Sequence, residues 1–294
     1  MERGADADDG EEVAHSDRLD RGGAAMMDRR VAYAREAGAG DPVVCIHASA
    51  SSSAQWRPLI DRLAVRFRVL AVDLYGAGRS PAWPDDRPLT LADEVALIEP
   101  VVAAAGPRVH VIGHSYGGAV ALKLALMHPE WLASLIVFEP VLFSLLMAHD
   151  PDDPAAREIS AVRADTSVAV NSGQLDTAGG RFVDYWMGAG TWASLPDARR
   201  QTIATAMTHI PGEWHAVFEE PVPLQAFAAL DVITLCLVGS DSPDSSRAVS
   251  TLLAKTLPRA SEVELERVGH MGPVTHPDQV NALIEQHLDG RQGR

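Results

Sequence analysis

Gly113-His114-Ser115-Tyr116-Gly117 lies between the apolar run Val109-His110-Val111-Ile112 and the stretch Gly118-Ala119-Val120-Ala121-Leu122-Lys123-Leu124-Ala125. The run before it reads as a buried strand and the stretch after it as a helix, so the five residues form a tight strand-to-helix turn. A serine at such a corner has its hydroxyl lifted clear of the sheet. Glycines flank it because a side chain at either place would collide with the neighbouring helix and strand.

Outward from this turn, short apolar runs alternate with longer helical patterns. That alternation predicts an α/β fold with a mostly parallel central sheet flanked by helices. Strands are predicted at Val31–Ala34 (an edge), Pro42–Ile46, Phe67–Val72, Arg108–Ile112, Leu132–Phe138, Val232–Val238 and Glu262–Arg267. Helices are predicted at Trp56–Val65, Leu89–Ala105, Ser245–Leu257 and His276–Leu288, with Thr90 and Glu94 as the start signal of the second. Residues 141–225 lack strand character and are rich in Trp, Met and Phe, as expected for a helical cap inserted into the α/β core of residues 29–140 and 226–294. Residues 1–28, polar and acidic, are expected to be a disordered tail.

Bulk composition narrows the function classes. The 294 residues carry a formal net charge of −15, which disfavours nucleic acid and anionic membrane surfaces as partners. No apolar run reaches about 18 residues, so no membrane-spanning helix is expected. No signal-peptide core precedes the folded region, and a cytoplasmic location is expected. Cys45 and Cys236 fall inside predicted strands, as small buried apolar residues and not as a disulfide. No Gly-x-Gly-x-x-Gly or phosphate-binding loop follows a strand, so no nucleotide cofactor is expected. His149-Asp150-Pro151-Asp152-Asp153 reads as an acidic turn, not a metal site, because no second ligand cluster accompanies it.

Four landmarks in this order resemble the α/β-hydrolase fold family over about residues 31–290. His47-Ala48-Ser49 after a strand is similar to the family's oxyanion loop. Asp73-Leu74-Tyr75-Gly76-Ala77-Gly78-Arg79-Ser80 is similar to its Asp-x-x-Gly-x-Gly-x-Ser turn. Gly113 to Gly117 is similar to its nucleophile elbow, and Gly269-His270 after the last strand to its histidine loop. The resemblance implies a serine hydrolase with Ser115 as nucleophile and His270 as base and later acid, needing no cofactor. It also implies an oxyanion hole built from the backbone N–H groups of Tyr116 and Ser49. Ala48 replaces the family's usual glycine, so any positive φ there would be disfavoured. His47 and His114 are assigned structural roles.

The acid has three candidates. Most of the family carries it three residues after a glycine beyond the penultimate strand, but in Gly239-Ser240-Asp241-Ser242-Pro243-Asp244 that slot holds Ser242. Asp241 is one position early and Asp244 two positions late. Glu139, ending the apolar strand Leu135-Ile136-Val137-Phe138, is the favoured candidate. A carboxylate closing such a strand would be partly buried and would need a partner such as His270.

The expected reaction is hydrolysis of a small apolar ester, lactone, thioester or carbon–carbon bond through an acyl-enzyme. A few of the cap aromatics and methionines are expected to line an apolar pocket. Two other classes use the same residues: a non-hydrolytic acyltransferase or lyase, and a receptor-like protein that holds a ligand under its cap. The sequence is compatible with a monomer or a homodimer.

Overall fold

The structure, a computed structural model, describes residues 30–84 and 87–292, so the expected tail at 1–28 lies outside the described residues. Seven strands form one sheet in the order β1-β3-β2-β4-β5-β6-β7. They are β1 (Ala34–Ala37), β2 (Asp41–Ile46), β3 (Phe67–Val72), β4 (Val109–His114), β5 (Leu132–Phe138), β6 (Thr234–Gly239) and β7 (Ala260–Leu265). Only β1 runs antiparallel, against β3; every other pairing is parallel. The inner strands are buried along nearly their whole length, which explains why they read as continuous apolar runs.

Helices cover both faces. α1 (Arg57–Leu63) and α12 (Pro277–Gln292) pack on one, over a core of Val43, Cys45, Phe67, Ile112 and Ile136. α2 (Leu91–Ala105), α3 (Tyr116–Met127) and α10 (Asp244–Thr256) pack on the other. Both cysteines are buried and free. Between β5 and β6 the chain forms α4 (Phe143–His149), α5 (Pro154–Asn171), α6 (Leu175–Met187), α7 (Thr191–Ser194), α8 (Asp197–Ala206) and α9 (Ile210–Phe218). No strand interrupts them. A short α11 (Gly272–Thr275) sits between β7 and α12.

Three expectations need correction. The edge strand is Ala34–Ala37 and not Val31–Ala34. Residues 32 and 33 are instead held by Leu97 O and the Ser80 hydroxyl, outside the β1–β3 ladder. α2 begins with a capping box formed by Thr90 and Asp93, not Glu94. Glu94 turns inward and is 1% exposed. Finally, β7 ends at Leu265, two residues before Arg267 takes a left-handed φ of 58° and turns the chain toward His270.

Candidate active site

Ser115 sits between β4 and α3 with φ 55° and ψ −116°, a conformation that L-residues rarely adopt. The flanking glycines make it accessible. A Cβ on Gly113 would lie 2.4 Å from Gly117 O, and one on Gly117 would lie 2.4 Å from the carbonyl oxygens of Ile46 and His47. Those contacts are with backbone, which cannot swing aside. Ser115 N–H is anchored to Phe138 O at 2.9 Å, tying the elbow to the neighbouring strand β5.

His270 follows β7 and is 2% exposed. Its Nε2 lies 2.9 Å from Ser115 Oγ and its Nδ1 lies 2.6 Å from Glu139 Oε2. Glu139 also has a positive φ, 45°, as the chain leaves β5 and turns its side chain into the site, where it is 0% exposed. Its four hydrogen-bond donors come from separate places. Gly239 N–H and the Ser242 hydroxyl meet Oε1 at 2.7 and 2.5 Å, while the Ser246 hydroxyl, at 3.0 Å, and His270 meet Oε2. Burial alone would raise a carboxyl pKa. The hydrogen bond and charge of His270, with Ser242 and Gly239, outweigh it and hold Glu139 below the usual value, so it is ionised. An ionised Glu139 makes Nδ1 the protonated nitrogen and leaves Nε2 as the acceptor facing Ser115.

Asp241 and Asp244 make no hydrogen bond to His270. Both are exposed, and Asp241 accepts a bond from the Ser240 hydroxyl beside it. Ser242, which occupies the slot where the resemblance would put an acid, instead donates to Glu139. The departure from the family pattern at Ser242 was the sequence's only hint of that contact.

A second layer of polar groups holds this row in place. The Gln55 amide N–H donates to His114 Nδ1 at 3.1 Å, and His114 Nε2–H donates to His270 O at 2.8 Å. Burial, with His270 nearby, pushes the His114 pKa well down, so it stays neutral. His47 Nδ1–H donates to Ala48 O at 2.7 Å and its Nε2 accepts Leu74 N–H at 3.1 Å, tying the loop after β2 to the turn after β3. Burial lowers its pKa too. In that loop it is Ala50, not Ala48, that takes the positive φ, at 51°. Tyr116 is the first residue of α3, so its N–H has no acceptor within the helix.

Ser115, His270 and Ser49 share a cavity of about 60 Å³. Phe182, Val183, Trp186 and Met187 of α6 and Ile203 of α8 form its apolar wall. The Trp186 ring stacks on the His270 ring at 4.1 Å between centroids and 28° between planes. Other aromatics of residues 141–225 pack within the protein. Phe143, Trp214 and Phe218 pack on one another in the core, and Trp192 packs on Gly179. Periodicity marks these residues as apolar but does not say which way each helix is rotated. Among the described residues no cluster of metal-binding side chains occurs, and no helix is long and apolar enough to cross a membrane.

Comparison with known proteins agrees with this architecture. Residues 43–283 match the sequence profile of the alpha/beta hydrolase family. The chain is 30% identical over 263 residues to the pimeloyl-[acyl-carrier protein] methyl ester esterase of Aeromonas hydrophila, covering 85% of this chain and 96% of that one. It is 24% identical over 267 residues to the (E)-2-((N-methylformamido)methylene)succinate hydrolase of Acinetobacter baylyi, covering 90% and 96%. A thermophilic esterase from Thermogutta terrifontis superposes with a TM-score of 0.69 at 24% identity, covering 88% and 93%, a likeness of fold. The chain belongs to the alpha/beta hydrolase family and is a hydrolase-class enzyme.

Proposed function

We propose that this enzyme is a serine esterase that cleaves a small carboxylic ester through an acyl-enzyme on Ser115. The observation that carries the reading is the continuous row from Ser115 Oγ to His270 Nε2 at 2.9 Å and from His270 Nδ1 to Glu139 Oε2 at 2.6 Å. Relatives named as an ester esterase and a hydrolase support it.

In this scheme Ser115 Oγ attacks the ester carbonyl while His270 Nε2 takes its proton. Glu139 holds the imidazole in the tautomer that can accept that proton and stabilises the cation that forms. Backbone N–H groups of Tyr116 and Ser49 receive the developing oxyanion. The tetrahedral intermediate collapses, the alcohol leaves with the proton from His270, and water repeats the sequence to release the acid. No step calls for a cofactor.

Residues 141–225 act as a lid over the core formed by the described residues of 30–140 and 226–292. The cavity of about 60 Å³ beside Ser115 would hold roughly two waters. Substrate pockets run to several hundred Å³. Binding therefore requires α6 and α8 to move outward or Trp186 and Met187 to swing aside. The apolar wall suits the acyl portion of the substrate.

The test is the intact mass of native protein and of Ser115→Ala after exposure to a fluorophosphonate. A single adduct on native protein and none on the variant is expected. An unmodified native protein, or equal labelling of both, overturns the reading.

A further inference from the structure

Beyond the Ser49–Ala50 segment lies a pocket of about 640 Å³ that the scheme above leaves without a role. It shares Ser49, Ala50, Arg199 and Met271 with the small cavity at Ser115, so the two adjoin. A substrate with its carbonyl at Ser115 can therefore place one arm in each. The two arms meet different chemistry. The cavity at Ser115 is walled by apolar side chains of α6, whereas two arginines, Arg57 and Arg199, line the larger pocket.

Both arginines are solvent-exposed, so a ligand in the pocket can reach them. Arg57 opens α1 on the core, and Arg199 stands in the first turn of α8 on the lid. Neither side chain has an ion pair or hydrogen bond among the described residues. That is unusual on a chain of net charge −15, where carboxylates outnumber cations and a surface arginine readily finds one. Arg200, next to Arg199, pairs with Asp197 at 2.6 Å, and Arg62, five residues beyond Arg57, pairs with Glu285 at 2.8 Å. The one acid in the pocket lining, Glu213, pairs with neither arginine, and its Oε2 is enclosed without a partner. Ser51 adds a hydroxyl to the same lining. Two unpaired guanidinium groups give the pocket a positive field inside a molecule that elsewhere repels anions. Their planar forks match the oxygens of a carboxylate or a phosphate.

We propose that Arg57 and Arg199 bind an anionic group, a carboxylate or a phosphate, carried by the alcohol portion of the ester. The proposal rests on the serine-esterase reading, in which the apolar cavity takes the acyl portion. Ser115 Oγ bonds to the carbonyl carbon and its proton passes to His270. The bond from that carbon to the alcohol oxygen then breaks, and His270 returns the proton to the oxygen. The anionic alcohol leaves from the larger pocket while the acyl group stays on Ser115 beside α6. The arginines also act before binding, by drawing an anionic substrate to this mouth, an effect that added salt screens.

The experiment measures kcat/KM for butanoate esters of three alcohols: 3-hydroxypropanoate, its neutral isostere 3-hydroxypropanamide, and 2-hydroxyethyl phosphate. In each, the group that varies is the group that leaves. Native protein should cleave an anionic ester at least about tenfold faster than the carboxamide, the range of one charge-assisted hydrogen bond. The carboxamide ester is the reference in every protein, so a general loss of activity cancels from the ratio. The ratio should fall to near one when Arg57→Gln and Arg199→Gln are combined. Lysine at both positions keeps the charge but loses the fork, and should retain part of it. In native protein the ratio should also shrink as salt rises from about 20 to about 500 mM. The faster of the two anionic esters tells a carboxylate from a phosphate. Equal native rates, or an undiminished ratio in the double glutamine variant, overturns the subsite while the esterase reading stands. So does a preference confined to an acyl-side anion, seen as monoethyl succinate over ethyl succinamate. Native protein that labels with a fluorophosphonate yet hydrolyses none of these esters also overturns the subsite alone. Native protein that neither labels nor hydrolyses overturns both.

Discussion

Replacing Glu139 by glutamine tests the proposed relay more sharply than deleting any of its members, because the variant should fold normally and still fail. Four donors surround the carboxylate, and they differ in whether they can reverse. Gly239 N–H, 2.7 Å from Oε1, is backbone and can only donate. The oxygen of the introduced amide must therefore take the Oε1 site, where it also accepts the Ser242 hydroxyl. The NH₂ is then forced into the Oε2 site. There Ser246 can accept from it, because its hydroxyl proton has an alternative acceptor in Pro243 O at 3.0 Å. The other N–H points at His270 Nδ1, 2.6 Å from the present oxygen. Every buried group stays satisfied, but Nδ1 becomes an acceptor and the ring proton moves to Nε2, where it blocks transfer from Ser115. A neutral amide replacing a triad carboxylate costs about 10⁴ in kcat, or about 5 kcal/mol of transition-state stabilisation. The assays are steady-state ester hydrolysis, thermal unfolding, and nitrogen NMR of the His270 ring. The expected result is a Tm within a few degrees of native, a kcat loss of about 10³–10⁴, and an Nε2–H tautomer. A loss below about tenfold, or retention of the Nδ1–H tautomer, would refute the reasoning.

Three further outcomes are expected. Glu94 is 1% exposed, and burial, reinforced by the charge of Glu213, raises its pKa from 4.5 to about 8. Between those two values the folded chain holds a proton that the unfolded chain has released. Its contribution to stability therefore declines as pH rises through that window, by on the order of 1 kcal/mol per pH unit. Urea unfolding at pH 5 and pH 8.5 should show a smaller drop for Glu94→Gln than for native protein, and an identical drop would contradict the assignment. Trp186→Ala removes the ring stacked at 4.1 Å on His270 and should destabilise by about 3–5 kcal/mol. The same change should shift preference toward longer acyl chains, measured as kcat/KM across an ester series, and an unchanged chain-length profile would count against an acyl-facing wall. Gly113→Ala sets a Cβ 2.4 Å from Gly117 O and 2.7 Å from Gly118 Cα, so a loss of at least about 3 kcal/mol is expected. A Tm within two or three degrees of native would show that the elbow can relax.

The family and the elbow were legible because their causes are local. A buried strand, two glycines that must lack Cβ atoms, a serine between them and a helix behind it occupy consecutive positions, from Val109 to Met127. The same holds for β3 and β5, whose bounds match expectation because apolar runs flanked by turn residues need no distant information. Edge strands are less legible. β1 and β7 are partly exposed, so their apolar signal is thin and their ends are set by partners such as Ser80 and by the left-handed Arg267.

Which carboxylate lies against His270 is a different kind of question. Glu139 and Asp241 both follow strands that end at the same edge of the sheet, and the apolar strand that Glu139 closes favours it without showing what it touches. Parallel pairing of β5 with β6 brings Gly239, Ser242 and Ser246 onto Glu139 across 100 to 107 residues, and His270 onto it across 131. Asp241, with its own turn serine as partner, is left facing solvent. The rotation of α6 that turns Trp186 onto His270 is likewise set by packing between helices. The chain's own order therefore determines that a serine is raised on an elbow beneath a helical insertion. Only the tertiary structure decides which charges and rings surround that serine, because hydrogen bonds and burial between segments a hundred residues apart have no counterpart in local pattern.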